Sequence, residues 1–157
     1  MDHSQISQIF FREIFTVPDQ GTLRHLSSSA ADIGTSASGI RDAMAPGQLV
    51  AVLESICARE VQSHLNEFED VVVASSVQCL HRAPLPQGAL VTVHGWVLAL
   101  CAREATFWVL ASDEQELVCE GTICFTMVRR SQIEMKMQRK REAIERRKLF
   151  TPARGVN

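Results

Sequence analysis

Apolar residues change their spacing several times along the chain, and each change predicts a new element. Ile9 to Val17 is a run of aromatic and β-branched residues that stops at Pro18-Asp19-Gln20-Gly21, which predicts a strand followed by a turn. Residues 27–43 carry Ser27-Ser28-Ser29, Gly34, Ser36, Ser38 and Gly39 with no sustained apolar period, so a loop is expected, either a lid over a binding site or a plain disordered connection. From Pro46 the chain reads as a helix to about Leu65. Its first half is apolar on nearly all sides, and Arg59, Glu60, Gln62 and His64 turn the second half polar. After Asn66-Glu67-Phe68-Glu69-Asp70 come four strand-like segments, Val71 to Leu80, Ala89 to Leu100, Ala105 to Ser112 and Leu117 to Val128. Their short connections favour an antiparallel meander. From Ser131 to Lys148 strong helix formers with few apolar positions predict a solvated helix. One strand, one long apolar helix and four more strands make an α+β plan, a curved antiparallel sheet wrapped around a central helix. Residues 1–130 form that domain, and 131–157 a basic helix and tail.

Composition narrows the class. A chain of 157 residues with 46% hydrophobic and 22% charged side chains suits one folded domain. No apolar run approaches the roughly 20 residues a membrane helix needs, and the opening Met1-Asp2-His3-Ser4-Gln5 lacks the basic and apolar regions of a leader. A cytoplasmic protein without a membrane partner is expected. The five cysteines are odd in number, lie in apolar segments and form no Cys-x-x-Cys pair, so they read as reduced core residues with no metal site. The net charge of −2 conceals a split. Residues 1–128 hold 6 basic and 15 acidic side chains, whereas Arg129 to Lys148 hold 9 basic and 3 acidic. Without aromatic residues between its charges, the basic segment reads as a charged surface helix, and no nucleic-acid partner is expected.

Glu54 is the candidate for chemistry, because it interrupts the apolar run from Leu49 to Ala58. A carboxylate deprived of water there needs a partner or a task. The bland reading is an ion pair with Arg59 or Arg24; the functional one is a general base. Gly47 and Gln48 open the helix, where unpaired backbone N–H groups suit an oxyanion or phosphate.

Three ordered blocks then resemble a known family. They are Val17-Pro18-Asp19-Gln20-Gly21-Thr22-Leu23-Arg24-His25-Leu26, then Val50 to Arg59 around Glu54, then His81-Arg82-Ala83-Pro84-Leu85-Pro86-Gln87-Gly88 followed by Ala89-Leu90-Val91-Thr92-Val93. Together they resemble the fluoroacetyl-CoA thioesterase family of hot dog proteins, over about residues 14–128. The resemblance implies a hot dog fold and a thioesterase that hydrolyses an acyl-CoA or acyl-carrier thioester, with Glu54 and His81 as its acid-base pair and a bound water. It implies a homodimer with acyl-CoA at the interface, and no cofactor beyond the CoA of the substrate. The family's third position, a Thr, falls on Pro46, so a hydroxyl role is not carried over and a fluorinated substrate is not implied. Pro46, Gly47, Gln48, His25 and Arg82 are the expected substrate-binding residues, and basic residues of the terminal helix are a further candidate for CoA phosphates. Two other readings stand beside it: a non-catalytic acyl-CoA binding or sensing protein, and a hot dog dehydratase or hydratase.

Overall fold

Alternating side chains become five antiparallel strands in the computed structural model, which describes residues 6–21, 42–65 and 68–150. The strands are β1 (Phe10–Thr16), β2 (Asp70–His81), β3 (Leu90–Cys101), β4 (Glu104–Ser112) and β5 (Leu117–Arg129), in sheet order β1-β3-β4-β5-β2. Two helices accompany them, α1 (Pro46–Gln62) before β2 and α2 (Arg130–Phe150) after β5. The loop expected over 27–43 lies almost wholly outside the described residues. Among the described residues, no helix is long and apolar enough to cross a membrane.

Every second residue of the central strands faces α1. Val91 and Val93 of β3, Phe107 and Val109 of β4, and Ile123, Phe125 and Met127 of β5 are fully buried there, meeting Leu49, Leu53, Ile56, Cys57 and Val61 of the helix. Phe107 and Phe125 pack edge to face with ring centroids 6.0 Å apart. Burial of each large side chain in this layer stabilises the fold by about 1.5–3 kcal/mol, which is what holds the sheet curved around the helix.

Two close approaches shape the sheet. The Phe11 ring lies over Gly95, its directly paired neighbour, so that a Cβ there would come within 2.2 Å of the ring. At Gly121 a Cβ would come within 2.1 Å of the Gln78 carbonyl oxygen, so β2 lies against β5 only because that side chain is missing. The opposite face carries Trp96 paired with Trp108, and there His94 sits 6.3 Å from the Phe10 ring.

The helix α1 starts at Pro46, whose fixed φ fits a first turn and whose missing N–H would have no partner there. It ends at Gln62, short of Leu65, because the chain tightens to i→i+3 bonds from His64 to Val61 and from Leu65 to Gln62. The Gln62 side chain then clamps β2, donating to the Asp70 carbonyl at 3.1 Å and accepting from the Val72 N–H at 3.1 Å. The hairpin from β3 to β4 turns through Ala102 at φ +46°, a left-handed conformation that costs about 1–2 kcal/mol in a residue with a Cβ. Arg103 offsets this by donating to the Met127 carbonyl at 2.7 Å and to the Asp70 carboxylate at 2.8 Å.

Candidate active site

Strand β2 is a sheet edge, and its inner face overhangs one flank of α1. The pairing register puts Val77 opposite Ile123, Cys79 opposite Gly121 and His81 opposite Cys119, so all three point to the helix side. On α1, Pro46, Val50 and Glu54 follow at i, i+4 and i+8 and therefore share a flank. The inner face of β2 is exposed at Val77 and His81, which leaves a trough along the free edge of the sheet. Its end is a cleft of about 260 Å³ lined by Ala43, Met44, Pro46, His81, Arg82, Ala83 and Pro84.

The structure gathers Pro46, His81 and Arg82 into this cleft. The His81 Nε2 lies 2.5 Å from the Ala83 carbonyl oxygen. A carbonyl only accepts, so Nε2 carries the proton and Nδ1 is left as the ring's uncommitted nitrogen. Arg82 donates through Nε at 2.7 Å to Glu120 across the strand pair, and its guanidinium also bonds that carboxylate, so its charge is largely answered within the protein.

Glu54 departs from expectation in its burial. It is only half-buried, because the sheet covers one stripe of α1 and leaves Val50, Val52 and Glu54 on partly open flanks. An apolar run of small and medium residues suggests burial all round, whereas only the stripe of Leu49, Leu53, Ile56, Cys57 and Val61 is buried. Among the described residues Glu54 makes no hydrogen bond or ion pair, and Arg59 is taken by Glu13 at 2.7 Å. Two helical turns, about 12 Å of rise, separate Glu54 from Pro46, so it does not line the end cleft.

The helix start also differs in detail. The Gln48 N–H bonds the Ala45 carbonyl at 2.9 Å and is not a free donor, which leaves Gly47, whose N–H meets no acceptor among the described residues. Ala45 supplies no side-chain cap. His25, Arg24, Ser36 and Ser38 lie outside the described residues. Cys101 is exposed, unlike the core position expected, because it sits at the end of β3 beside the hairpin turn.

Sequence reasoning missed Ala43, Met44, Ala83 and Pro84 as cleft walls. Ala43 bridges to Pro86, the Met44 N–H bonds the Leu85 carbonyl at 2.7 Å, and the Gln87 N–H bonds the Asp42 carbonyl at 2.9 Å. These bonds hold the segment before α1 against the Pro84-Leu85-Pro86 turn. The buried Met44 and Leu85 were the available signal, two apolar residues inside segments otherwise read as connections.

Comparisons with known proteins bear on the fold and the family. The family model described as FlK, fluoroacetyl-CoA-specific thioesterase, matches residues 27–131. A comparison with curated protein sequences finds no match. A solved structure of the fluoroacetyl-CoA thioesterase FlK superposes with a TM-score of 0.75 at 23% identity, over 85% of this chain and 95% of that one. A mutant of the same enzyme in complex with fluoroacetate and CoA gives 0.70 at 22% identity, over 80% and 97%. A hot-dog-like protein from Thermanaerovibrio acidaminovorans gives 0.73 at 17% identity, over 89% and 97%. The sheet wrapped on α1 is a hot dog fold, and with the family model covering most of the domain, the chain belongs to the fluoroacetyl-CoA-specific thioesterase family.

Proposed function

We propose that the protein hydrolyses an acyl thioester carried on CoA or on a carrier, in the cytoplasm and as a homodimer, with Glu54 and His81 acting on a bound water and no cofactor beyond the CoA of the substrate. The observation that carries this reading is the Glu54 carboxylate, half-buried and without a hydrogen bond or ion pair among the described residues, on the helix whose first residue lines the cleft beside His81. Glu54 takes a proton from water as the oxygen bonds the thioester carbon, the C–S bond breaks, and the thiolate leaves to be protonated by the carboxyl group or by solvent. His81 orients that water through Nδ1, since Nε2 is held by Ala83. The Gly47 N–H, at the helix start and two turns from Glu54, suits a more distant oxygen of the bound thioester, such as a phosphate of CoA.

The dimer rests on the sheet edge. Strand β2 runs for 12 residues with Val73, Val77 and Leu80 exposed at 40%, 36% and 61%. A long apolar edge is a liability unless another strand pairs with it. Two-fold pairing about the middle of β2, near Ser75 and Ser76, runs the two strands antiparallel and closes each trough with the partner. Both Glu54 side chains, at mid-helix, then lie close to the axis.

Thiol release measured with acyl-CoA tests the assignment. Glu54→Gln is expected to lower kcat by about 10²–10⁴-fold with an unchanged thermal midpoint. Wild-type turnover in that variant removes Glu54 from the mechanism. Pro46, which lacks a hydroxyl, favours a second reading as an acyl-CoA sensor. A sensor would be stabilised thermally by the ester and release no thiol.

A further inference from the structure

The family match ends at residue 131, in the first turn of α2. The helix continues through Phe150, 21 residues in all and about 32 Å long. From Glu134 to Lys148 every side chain is exposed, so α2 stands off the domain as an arm. Its root is held by the Arg130 N–H on the Glu69 carbonyl at 2.8 Å, beside the first residue of β2.

The arm has a patterned face. At 100° per residue Ile133, Lys136, Met137, Lys140, Ile144 and Arg147 fall on one side, alternating apolar and cationic at spacings of three and four. The carboxylates of Glu134, Glu142 and Glu145 fall on the other, where Glu142 accepts from Gln138 at 2.9 Å and Glu145 pairs with Lys148 at 2.9 Å. Lys136 and Lys140 meet no carboxylate among the described residues, and Met137 and Ile144 are 47% and 54% exposed. Such spacing fits a facing helix whose own apolar and acidic positions alternate.

Its position gives it a purpose at the active site, if the homodimer proposed above holds. Antiparallel pairing of β2 with its mate sets the Asp70 end of one strand beside the His81 end of the other. Each arm then rises next to the partner's cleft.

Resting on the thioesterase reading, we propose that α2 is a docking arm for an acidic carrier protein, which presents its thioester to the cleft of the partner subunit. CoA alone does not explain the arm. Its phosphates need cations gathered at the cleft mouth, whereas these are spread along a helix about 32 Å long, outside the family's matched segment. A nucleic-acid backbone leaves Ile133, Met137 and Ile144 without apolar partners. A membrane-surface helix needs one broad apolar face, and Met135 points about 160° away from Met137. The body, with 6 basic and 15 acidic side chains over residues 1–128, repels an acidic partner everywhere except at the arm, which fixes how it docks.

The full-length chain is compared with a charge-reversed arm, Lys136→Glu, Lys140→Glu and Arg147→Glu together, which keeps helix formers at all three positions. Two substrates carry the same acyl group, chosen as the one released fastest from CoA: the acyl-CoA, and an acidic acyl carrier protein bearing it on phosphopantetheine. The expected result is a KM for the carrier substrate raised at least tenfold, with its salt dependence reduced, and kcat/KM for acyl-CoA changed less than twofold. Equal losses on both substrates, or no loss on the carrier, overturn the proposal. So does loss of RNA or anionic-vesicle binding in the variant while carrier kinetics stay unchanged. If the unaltered protein cleaves neither substrate, the thioesterase reading fails by itself. Fluorescence anisotropy with the labelled carrier then decides the arm: binding abolished by the reversal retains it, and no binding by the unaltered protein rejects it.

Discussion

Cys57, Cys79 and Cys119 stand where helix, edge strand and neighbouring strand meet, and their environment makes them poor nucleophiles. Burial pushes the Cys57 thiol up to about 12, with Glu60 and Cys79 adding to the effect. Burial likewise raises Cys119 to about 12, and Cys79 is raised by burial against a lowering hydrogen bond from Cys119. A thiol whose proton is held more tightly when folded favours the folded state below its ordinary value near 9, and that advantage disappears as pH climbs toward 12. Urea midpoints are therefore expected to stay level up to about pH 9 and to fall above it, with a shallower fall in Cys119→Ala. At pH 8 the exposed Cys101 should take up iodoacetamide first, and Cys57 and Cys119 only after unfolding, as read by peptide mapping. Early labelling of Cys57 would contradict the packing of α1 on the sheet.

Among the elements, β2 is the one whose placement decides the candidate site, since its end carries His81 into the cleft. Gly121 allows it to lie close on β5. In Gly121→Ala the new methyl group meets β2 backbone, which has no flexible end to move aside. A destabilisation of about 1–3 kcal/mol is expected, together with lowered kcat, measured by urea unfolding and thiol release. Much of this layout was legible in the sequence. The strands after α1 fell within a residue or two of the expected bounds, because period-2 alternation marks them. The meander expected of all four, however, holds only for β3-β4-β5. Strand β2 pairs with β5, so Pro84 to Gly88 carries the chain across to β3 beyond β4 and β5 instead of turning a hairpin. The α+β plan followed from their order. Less legible was which flank of α1 stays uncovered. Val50, Val52 and Glu54 differ from Leu49 and Leu53 in burial only because of where the sheet edge ends, a tertiary fact that helical periodicity does not encode. The cleft walls at Met44 and Ala83 were hidden for a related reason. Met44 is held by a backbone bond to Leu85 and Ala83 by one to Val118, and such bonds show in side-chain pattern only indirectly, through apolar residues such as Met44 and Leu85 inside connections.

For the whole molecule, the exposed inner face of β2 ties the proposed activity to the proposed subunit pairing. A protomer alone leaves the inner face of β2 exposed at Val77 and His81, and a thioester held there would be bathed in water on one side. Closing the trough with a second copy strengthens each electrostatic contact by removing solvent. Val77 lies near the middle of β2, on the helix side, so in the two-fold arrangement it packs close to the axis against the partner. The substitution Val77→Lys places two ammonium groups near each other at that seam and leaves the central core untouched. Sedimentation velocity is expected to show a dimer for the unaltered chain and a monomer for the variant at micromolar concentration, while the circular dichroism spectrum stays the same. Thiol release per chain should then fall at least tenfold in the variant, and recover in part as its concentration is raised, because mass action restores the pair. Full activity in a monomeric Val77→Lys protein would mean that one trough works unaided, and would separate the chemistry at Glu54 and His81 from assembly through β2.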